Sequence, residues 1–261
     1  MPPQVRPRLH GAAGRAPHHG QHPALGRLKR AVFRKEGPAS SAFASEFEGL
    51  QALRAAGVNA PEPYACGETF IEMQRLRLGA RPDWPALARM IAKLHRNTGE
   101  RFGWASDNWI GLAPQKNAWS NDWPSFFWEF RLLPQLSKAN LLEEAKNLNV
   151  SRFFENYRPV PSLLHGDLWN GNIGFTPGGP VVFDPAVYYG DREADLAMTE
   201  LFGGFPGEFY ASYNELFPLD AGYRNRKHLY NLYHLLNHLN LFGSGYRARV
   251  HATLDRLARA L

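Results

Sequence analysis

Apolar positions along the chain change period several times, and each change marks an element. Ala31-Val32-Phe33-Arg34-Lys35 reads as a short strand, with a Gly37-Pro38 turn behind it. Phe43, Phe47, Leu50 and Leu53 then recur at helical spacing, and Gly57 stands where a C-terminal cap belongs. Pro61 and Pro63 break the chain ahead of a strand over Phe70 to Leu76, and the polar connector from Gly79 to Asp83 is the expected hinge. Asp83 can cap a helix with Trp84, Leu87, Ile91 and Leu94 on its apolar face; Asp122 can cap another through Phe126, Phe127, Phe130 and Leu133. Pro85 and Pro124 fall in first turns, where proline is tolerated. A long stripe through Leu229, Leu232, Leu236 and Leu239 predicts a helix from Tyr223 to Phe242, stopped by Gly243. Between these helices lie Leu163-Leu164, a loop from His165 to Asn172, and a Val181-Val182-Phe183 strand introduced by Gly178-Gly179-Pro180.

Composition sharpens this picture at three points. The apolar share is 44%, with 7 Trp, 10 Tyr and 17 Phe, enough to build a core. The net charge of +6 resides in residues 1–30, where Arg6, Arg8, Arg15, Arg27, Lys29 and Arg30 face no acidic residue. The rest of the chain is formally neutral, so no specific nucleic-acid partner is expected of its folded surface. Residues 1–30 are otherwise rich in Gly, Pro and His without apolar alternation, and predict an irregular basic segment. Cys66 is the single cysteine, which excludes an intramolecular disulfide. No apolar run reaches the roughly 18 residues of a membrane span, and no secretory signal is legible, so a cytoplasmic protein without membrane association is expected.

The informative chemistry lies in His165-Gly166-Asp167-Leu168-Trp169-Asn170-Gly171-Asn172, followed by Asp184 at the end of an apolar strand. In protein-kinase-like enzymes a loop Asp accepts the proton of the substrate hydroxyl, an Asn five residues on holds one Mg2+, and a strand-end Asp holds the metals on the nucleotide phosphates. Asp167, Asn172 and Asp184 stand in that order. ATP and Mg2+ are therefore the expected nucleotide and metal, because a polyphosphate needs hard oxygen ligands around its cation and an alcohol needs an aligned base. Taken singly each residue suits a turn or a strand end; the ordered set points to phosphoryl transfer. Lys35 on its strand and Glu46 on the next helix fit the Lys-Glu pair that positions phosphates, and Met73, Gln74 and Arg75 enter the hinge where backbone groups would meet adenine. His165 is expected to pack inward and support the loop rather than act as a base, His95 to be a hydrogen-bonded core residue, and Asn170 and Asp195 to stiffen the loop.

These residues, with Val182-Phe183-Asp184-Pro185-Ala186-Val187-Tyr188-Tyr189-Gly190-Asp191-Arg192-Glu193-Ala194-Asp195-Leu196-Ala197-Met198, closely resemble the fructosamine (ketosamine) kinase family. Asn108-Trp109-Ile110-Gly111, Trp123 to Leu132, and Leu229 to His238 extend the resemblance, which runs from about Val32 to the C-terminus. It implies an α+β, bilobal, protein-kinase-like fold related to the aminoglycoside phosphotransferases. Its domains would be a basic segment 1–30, a small β-rich nucleotide lobe 31–80, incomplete only if the family's opening strands are missing, and a mainly helical catalytic and substrate lobe 81–261. It further implies ATP-dependent phosphorylation of the sugar 3-hydroxyl of ketosamines, free or on glycated protein lysines, which destabilises the adduct and repairs early glycation. Asp167 would be the base, Asn172 and Asp184 the metal ligands, and Lys35 the phosphate contact with Glu46 as its partner. Asp195 would brace the loop. Asn117, Trp123, Trp169 and Asp191 would lie on the substrate side or just behind it. The family opens with two strands and a Gly-rich loop; Gly11 to Gly14 is the nearest stretch here, without alternating apolar residues around it. Two other readings follow: a phosphotransferase for an aminoglycoside or choline-like alcohol, and an inactive nucleotide-binding protein. Oligomeric state is not fixed by the sequence.

Overall fold

The computed structural model describes residues 31–260, and the question of a Gly-rich loop within residues 1–30 lies outside them. From Ala31 onward the chain forms one compact unit with a strand-rich part and a helical part. The strand-rich part comprises β1 (Val32–Glu36), α1 (Ala42–Ala55), β2 (Pro63–Gly67) and β3 (Phe70–Gln74), the sheet being antiparallel in the order β1-β3-β2. Strand β2 corrects the expectation that Pro61 and Pro63 only break the chain. Proline cannot donate to a ladder, and Pro63 is tolerated because it opens an edge strand beside a register shift. Helix α1 buries Phe43, Leu50 and Leu53, and Gly57 ends it at φ +73, where a side chain would be strained.

Residues 75–83 join the two parts. Gly79 and Ala80 both donate their N–H groups to the Phe175 carbonyl, so the connector is tied down rather than free. Then α2 (Trp84–His95) begins at Asp83, whose side chain accepts the Ala86 N–H at 2.8 Å. Asp83→Ala is expected to cost about 1 kcal/mol of stability, read as a lower denaturant midpoint at unchanged slope.

The hairpin β4 (Asn108–Ile110) and β5 (Ala113–Gln115) leads into α3 (Trp123–Phe127), a five-residue π turn Trp128–Leu132 and α4 (Leu133–Lys138). One continuous helix was expected from Asp122. Pro134 prevents it, having no N–H to donate to the Phe130 carbonyl four residues back. The helix widens instead, Leu133 N–H bonding Trp128 O, and the Phe130 carbonyl accepts from Arg131 Nη1 at 3.0 Å. The remaining elements are β6 (Ser162–Leu164), β7 (Ile173–Thr176), β8 (Gly179–Val182), β9 (Tyr188–Gly190), α5 (Glu193–Leu201), α6 (Gly207–Leu216), α7 (Tyr223–Phe242) and α8 (Arg247–Arg259). Strands β6 and β9 pair, as do β7 and β8, and these two small sheets present the loops that carry the chemistry. One apolar cluster links α1, β3, α2 and α6; the other joins α3, α4, α7 and α8. No helix among the described residues is long and apolar enough to cross a membrane.

Candidate active site

Strand β6 delivers the chain into the loop His165–Asn172, and the β7–β8 hairpin returns it to Asp184. The two segments meet at one point. Ala186 N–H donates to His165 O at 2.8 Å, and a Cβ on Gly166, at φ +82, would lie 2.0 Å from the Ala186 carbonyl. Only glycine allows this approach. Asp184 itself has φ +55, one of two non-glycine residues with positive φ among those described, and it precedes a proline, which ordinarily favours extended backbone. This turn directs its carboxylate toward Lys35 Nζ.

The loop is braced from below. Asp195, buried on α5, accepts the His165 N–H at 2.7 Å and the Gly166 N–H at 2.9 Å, and its Oδ2 lies 3.2 Å from His95 Nε2. Burial opposes its ionisation, but the bond from His95 and the backbone donors hold its pKa below the usual carboxylate range. His95 turns its other ring nitrogen to Tyr213 Oη at 2.8 Å. His165 Nε2 donates to Phe183 O at 3.0 Å while Nδ1 accepts from the Asp167 N–H at 3.3 Å; burial depresses its pKa, so it is a neutral prop.

Asp167 and Asn172 touch. Asn172 Nδ2 donates to Asp167 Oδ2 at 2.9 Å and to its carbonyl at 2.8 Å, which spends the amide nitrogen and leaves Oδ1 to face other ligands. Burial pushes the Asp167 pKa up to about 7, the Asn172 bond pulls it down, and the charges of Asp184 and Asp195 add to the rise. On the opposite wall Lys35 Nζ lies 2.8 Å from Glu46 Oε1 and 2.8 Å from Asp184 Oδ1. Burial weakens the Lys35 ammonium, but the charges of Asp184 and Glu46 outweigh it and raise its pKa; burial likewise opposes ionisation of Asp184, and Lys35 holds that group low. Trp109 closes this corner, donating Nε1–H to Ser41 Oγ at 2.9 Å and lining a cavity of about 100 Å3 with Lys35, Glu46 and Asp184.

Other candidates lie elsewhere. Gln74 and Arg75 donate their N–H groups to Glu62 O and Ala31 O, and Met73 is buried in the sheet, so the expected hinge donors at Gln74 and Arg75 are already engaged. Trp123 is 1% exposed and donates to Tyr230 Oη, which places it in the core rather than against a substrate. Asp191 is equally buried, accepting from the Tyr157 and Tyr230 hydroxyls and the Glu193 N–H. Asn117 bonds Arg131 Nη2 at 2.8 Å. Trp169 packs edge-on to Phe202, and Asn170 Nδ2 reaches Gly204 O at 3.0 Å.

Sequence reasoning missed Arg131. It is fully buried, stacked 4.0 Å over the Tyr188 ring, and supports the segment after Asp184 together with Asn108, which donates to Val187 O. The π turn that aims it carries no periodic signature.

A Lys-Glu pair facing a strand-end Asp across from an Asp-Asn loop defines a kinase-like phosphotransferase fold. Solved aminoglycoside phosphotransferases share that fold: one covers 90% of this chain and 88% of its own at 14% identity and TM-score 0.55, evidence of fold alone. The chain belongs to the fructosamine kinase family, whose profile matches residues 25–260. A Synechocystis protein assigned as a ketoamine kinase is 42% identical over 232 residues, 83% of this chain and 79% of its own. The chloroplastic protein-ribulosamine 3-kinase of Arabidopsis thaliana is 40% identical over 247 residues, 87% and 75% of the two chains. A structure assigned as a fructosamine-3-kinase from Thermobifida fusca superposes at TM-score 0.80 with 32% identity, covering 87% and 85%.

Proposed function

We propose that the protein is an ATP-dependent, Mg2+-requiring ketosamine kinase that phosphorylates the sugar 3-hydroxyl of fructosamines, ribulosamines or similar adducts, on free amines or on glycated protein lysines, in deglycation repair. The observation that carries this reading is the Asp167–Asn172 contact opposite the Lys35–Glu46–Asp184 cluster, in a chain that belongs to this family. Asp167 Oδ2 is held by Asn172, so Oδ1 takes the proton of the sugar hydroxyl as its oxygen attacks the γ-phosphorus and ADP departs. Lys35, fixed by Glu46, holds the phosphates in line.

The residues present suit a magnesium ion. Asn172 Oδ1 and the Asp184 carboxylate are hard oxygen donors, and among the described residues no cluster of three His, Cys, Asp or Glu forms a closed metal cage. An ion held there would complete its shell with phosphate oxygens and water, and when bound it neutralises charge on the transferring group. Lys35 would then exchange Asp184 for phosphate. Asp184→Ala is expected to lower the apparent Mg2+ affinity by about tenfold or more while metal-free nucleotide binding changes little. Equal losses in both titrations would remove Asp184 from the metal site.

The function itself is tested by supplying Mg-ATP with lysine ketosamines, choline and an aminoglycoside in parallel, following ADP release and the phosphorylated product. Ketosamine-dependent turnover supports the reading. Nucleotide binding without turnover on any ketosamine overturns it.

A further inference from the structure

Helices α7 and α8, with the end of α5, enclose a cavity of about 390 Å3. Lys227, His228 and Asn231 line it from α7, and Arg249 and Arg256 from α8, residues spaced so that each set falls on one helical face. This space is separate from the catalytic loop. Asp195, which bonds that loop, and Glu200, which lines the cavity, are five residues apart on α5 and point about 140° away from each other.

Its charge is unbalanced. Glu200 supplies the carboxylate of the lining, and both of its oxygens are engaged: Oε2 by Lys227 Nζ at 2.6 Å and Oε1 by the Tyr223 hydroxyl at 2.5 Å. Arg249 donates to the Leu201 carbonyl at 3.1 Å and Arg256 lies 3.0 Å from His228 Nε2. Among the described residues neither guanidinium has a carboxylate in ion-pair range. Burial, then Arg256 and Lys227, depress the His228 pKa, so the imidazole stays neutral and Nε2 accepts from Arg256. Asn231, 8% exposed, also belongs to the lining, and its buried Oδ1 has no hydrogen-bond partner among the described residues. Three cationic side chains therefore line this space against one carboxylate, and two of them have no carboxylate partner among the described residues.

We propose that this cavity binds a phosphate group, either inorganic phosphate or the head of a small phosphate monoester. A tetrahedral anion presents acceptor oxygens in several directions, so both guanidiniums can engage it, whereas a planar carboxylate pairs best with one.

The test uses the full-length chain with Mg2+ and a saturating non-hydrolysable ATP analogue, so that the catalytic cleft is filled. Inorganic phosphate and glycerol 3-phosphate are titrated separately at constant ionic strength against chloride, following the His228 imidazole by NMR, with His228→Gln identifying its signal. A saturable shift in either arm is expected, and the arm that responds identifies the source. Arg249→Gln combined with Arg256→Gln is expected to weaken it at least about tenfold, a loss of about 1.4 kcal/mol. A linear or absent response of His228 in the unmodified protein overturns the proposal whether or not the double variant folds, and so does an unchanged affinity in a folded double variant.

Discussion

Asp167→Asn is expected to reduce kcat by at least ~100-fold with the fold intact, because a positioned general base contributes about that much or more. The substitution is gentle in every other respect. An amide oxygen at position 167 can still accept from Asn172 Nδ2, and the backbone N–H still meets His165 Nδ1. Burial has raised the Asp167 pKa to about 7 from an ordinary value near 3.8, so the folded state binds this proton more tightly than the unfolded chain does. The sign of the linkage follows: ionised Asp167 costs the folded state stability as pH rises through about 7, and the neutral variant escapes that cost. At pH 8 the variant should be at least as thermally stable as the parent while nearly inactive. In the parent, kcat/KM should fall on acidification with a limb at about 7, and lower still were the proposed cation at Asn172 and Asp184 bound. Steady-state kinetics against pH with parallel thermal unfolding check both halves. Activity within tenfold of the parent would exclude Asp167 as the base.

Local periodicity made α1, α2, α3 and α7 legible, whereas α5, α6 and α8 were not singled out from the sequence. The stripe from Leu229 to Leu239 lies within α7, Gly243 marks its end, and Asp83 caps α2 as its sequence implies, since capping and amphipathicity are encoded within a few residues. The Asp167, Asn172 and Asp184 series was proposed on another ground, the order of residue types that phosphoryl transfer requires, and the structure brings Asp167 and Asn172 into contact. Contacts across long separations were not readable from local pattern. Asp195 was expected to stiffen the loop, but the backbone N–H groups it meets, His165 and Gly166, could not be named from local pattern; nor could the buried position of Arg131, which the π turn beside Pro134 directs inward. Strand β2 was hidden because Pro63-Tyr64-Ala65-Cys66-Gly67 is an edge strand with four half-buried positions and one exposed, and so shows no alternation. Trp123 shows the opposite failure, a residue assigned toward substrate because it stands in a family block, whose indole fills the core beside Tyr188 and Tyr230.

The stability of the site rests on the start of α5, and Arg226→Met there is expected to cost roughly 3–5 kcal/mol. Arg226 is 3% exposed and Glu193, the first residue of α5, is fully buried; Nε meets Oε2 at 2.7 Å and Nη2 meets Oε1 at 2.9 Å. Arg226 also bonds Asp220 at 2.6 Å and lies 3.7 Å over the Tyr157 ring. Removing it strands a carboxylate in the core next to buried Asp191. Even with Arg226 present, burial lifts the Glu193 pKa to about 7, and without the cation it would rise further. A pKa raised above that of the unfolded chain means stability present at low pH and lost as pH rises through the folded value, so the defect of the variant should be smaller at pH 6 than at pH 8. Adding Glu193→Met should recover most of the loss, since an apolar pair of similar volume leaves no charge unpaired. Urea unfolding of the parent, the single variant and the double variant at both pH values separates the terms. A loss under about 1 kcal/mol at pH 8 would show that water reaches Glu193 and that the bidentate pair does not anchor the helix that carries Asp195 to the catalytic loop.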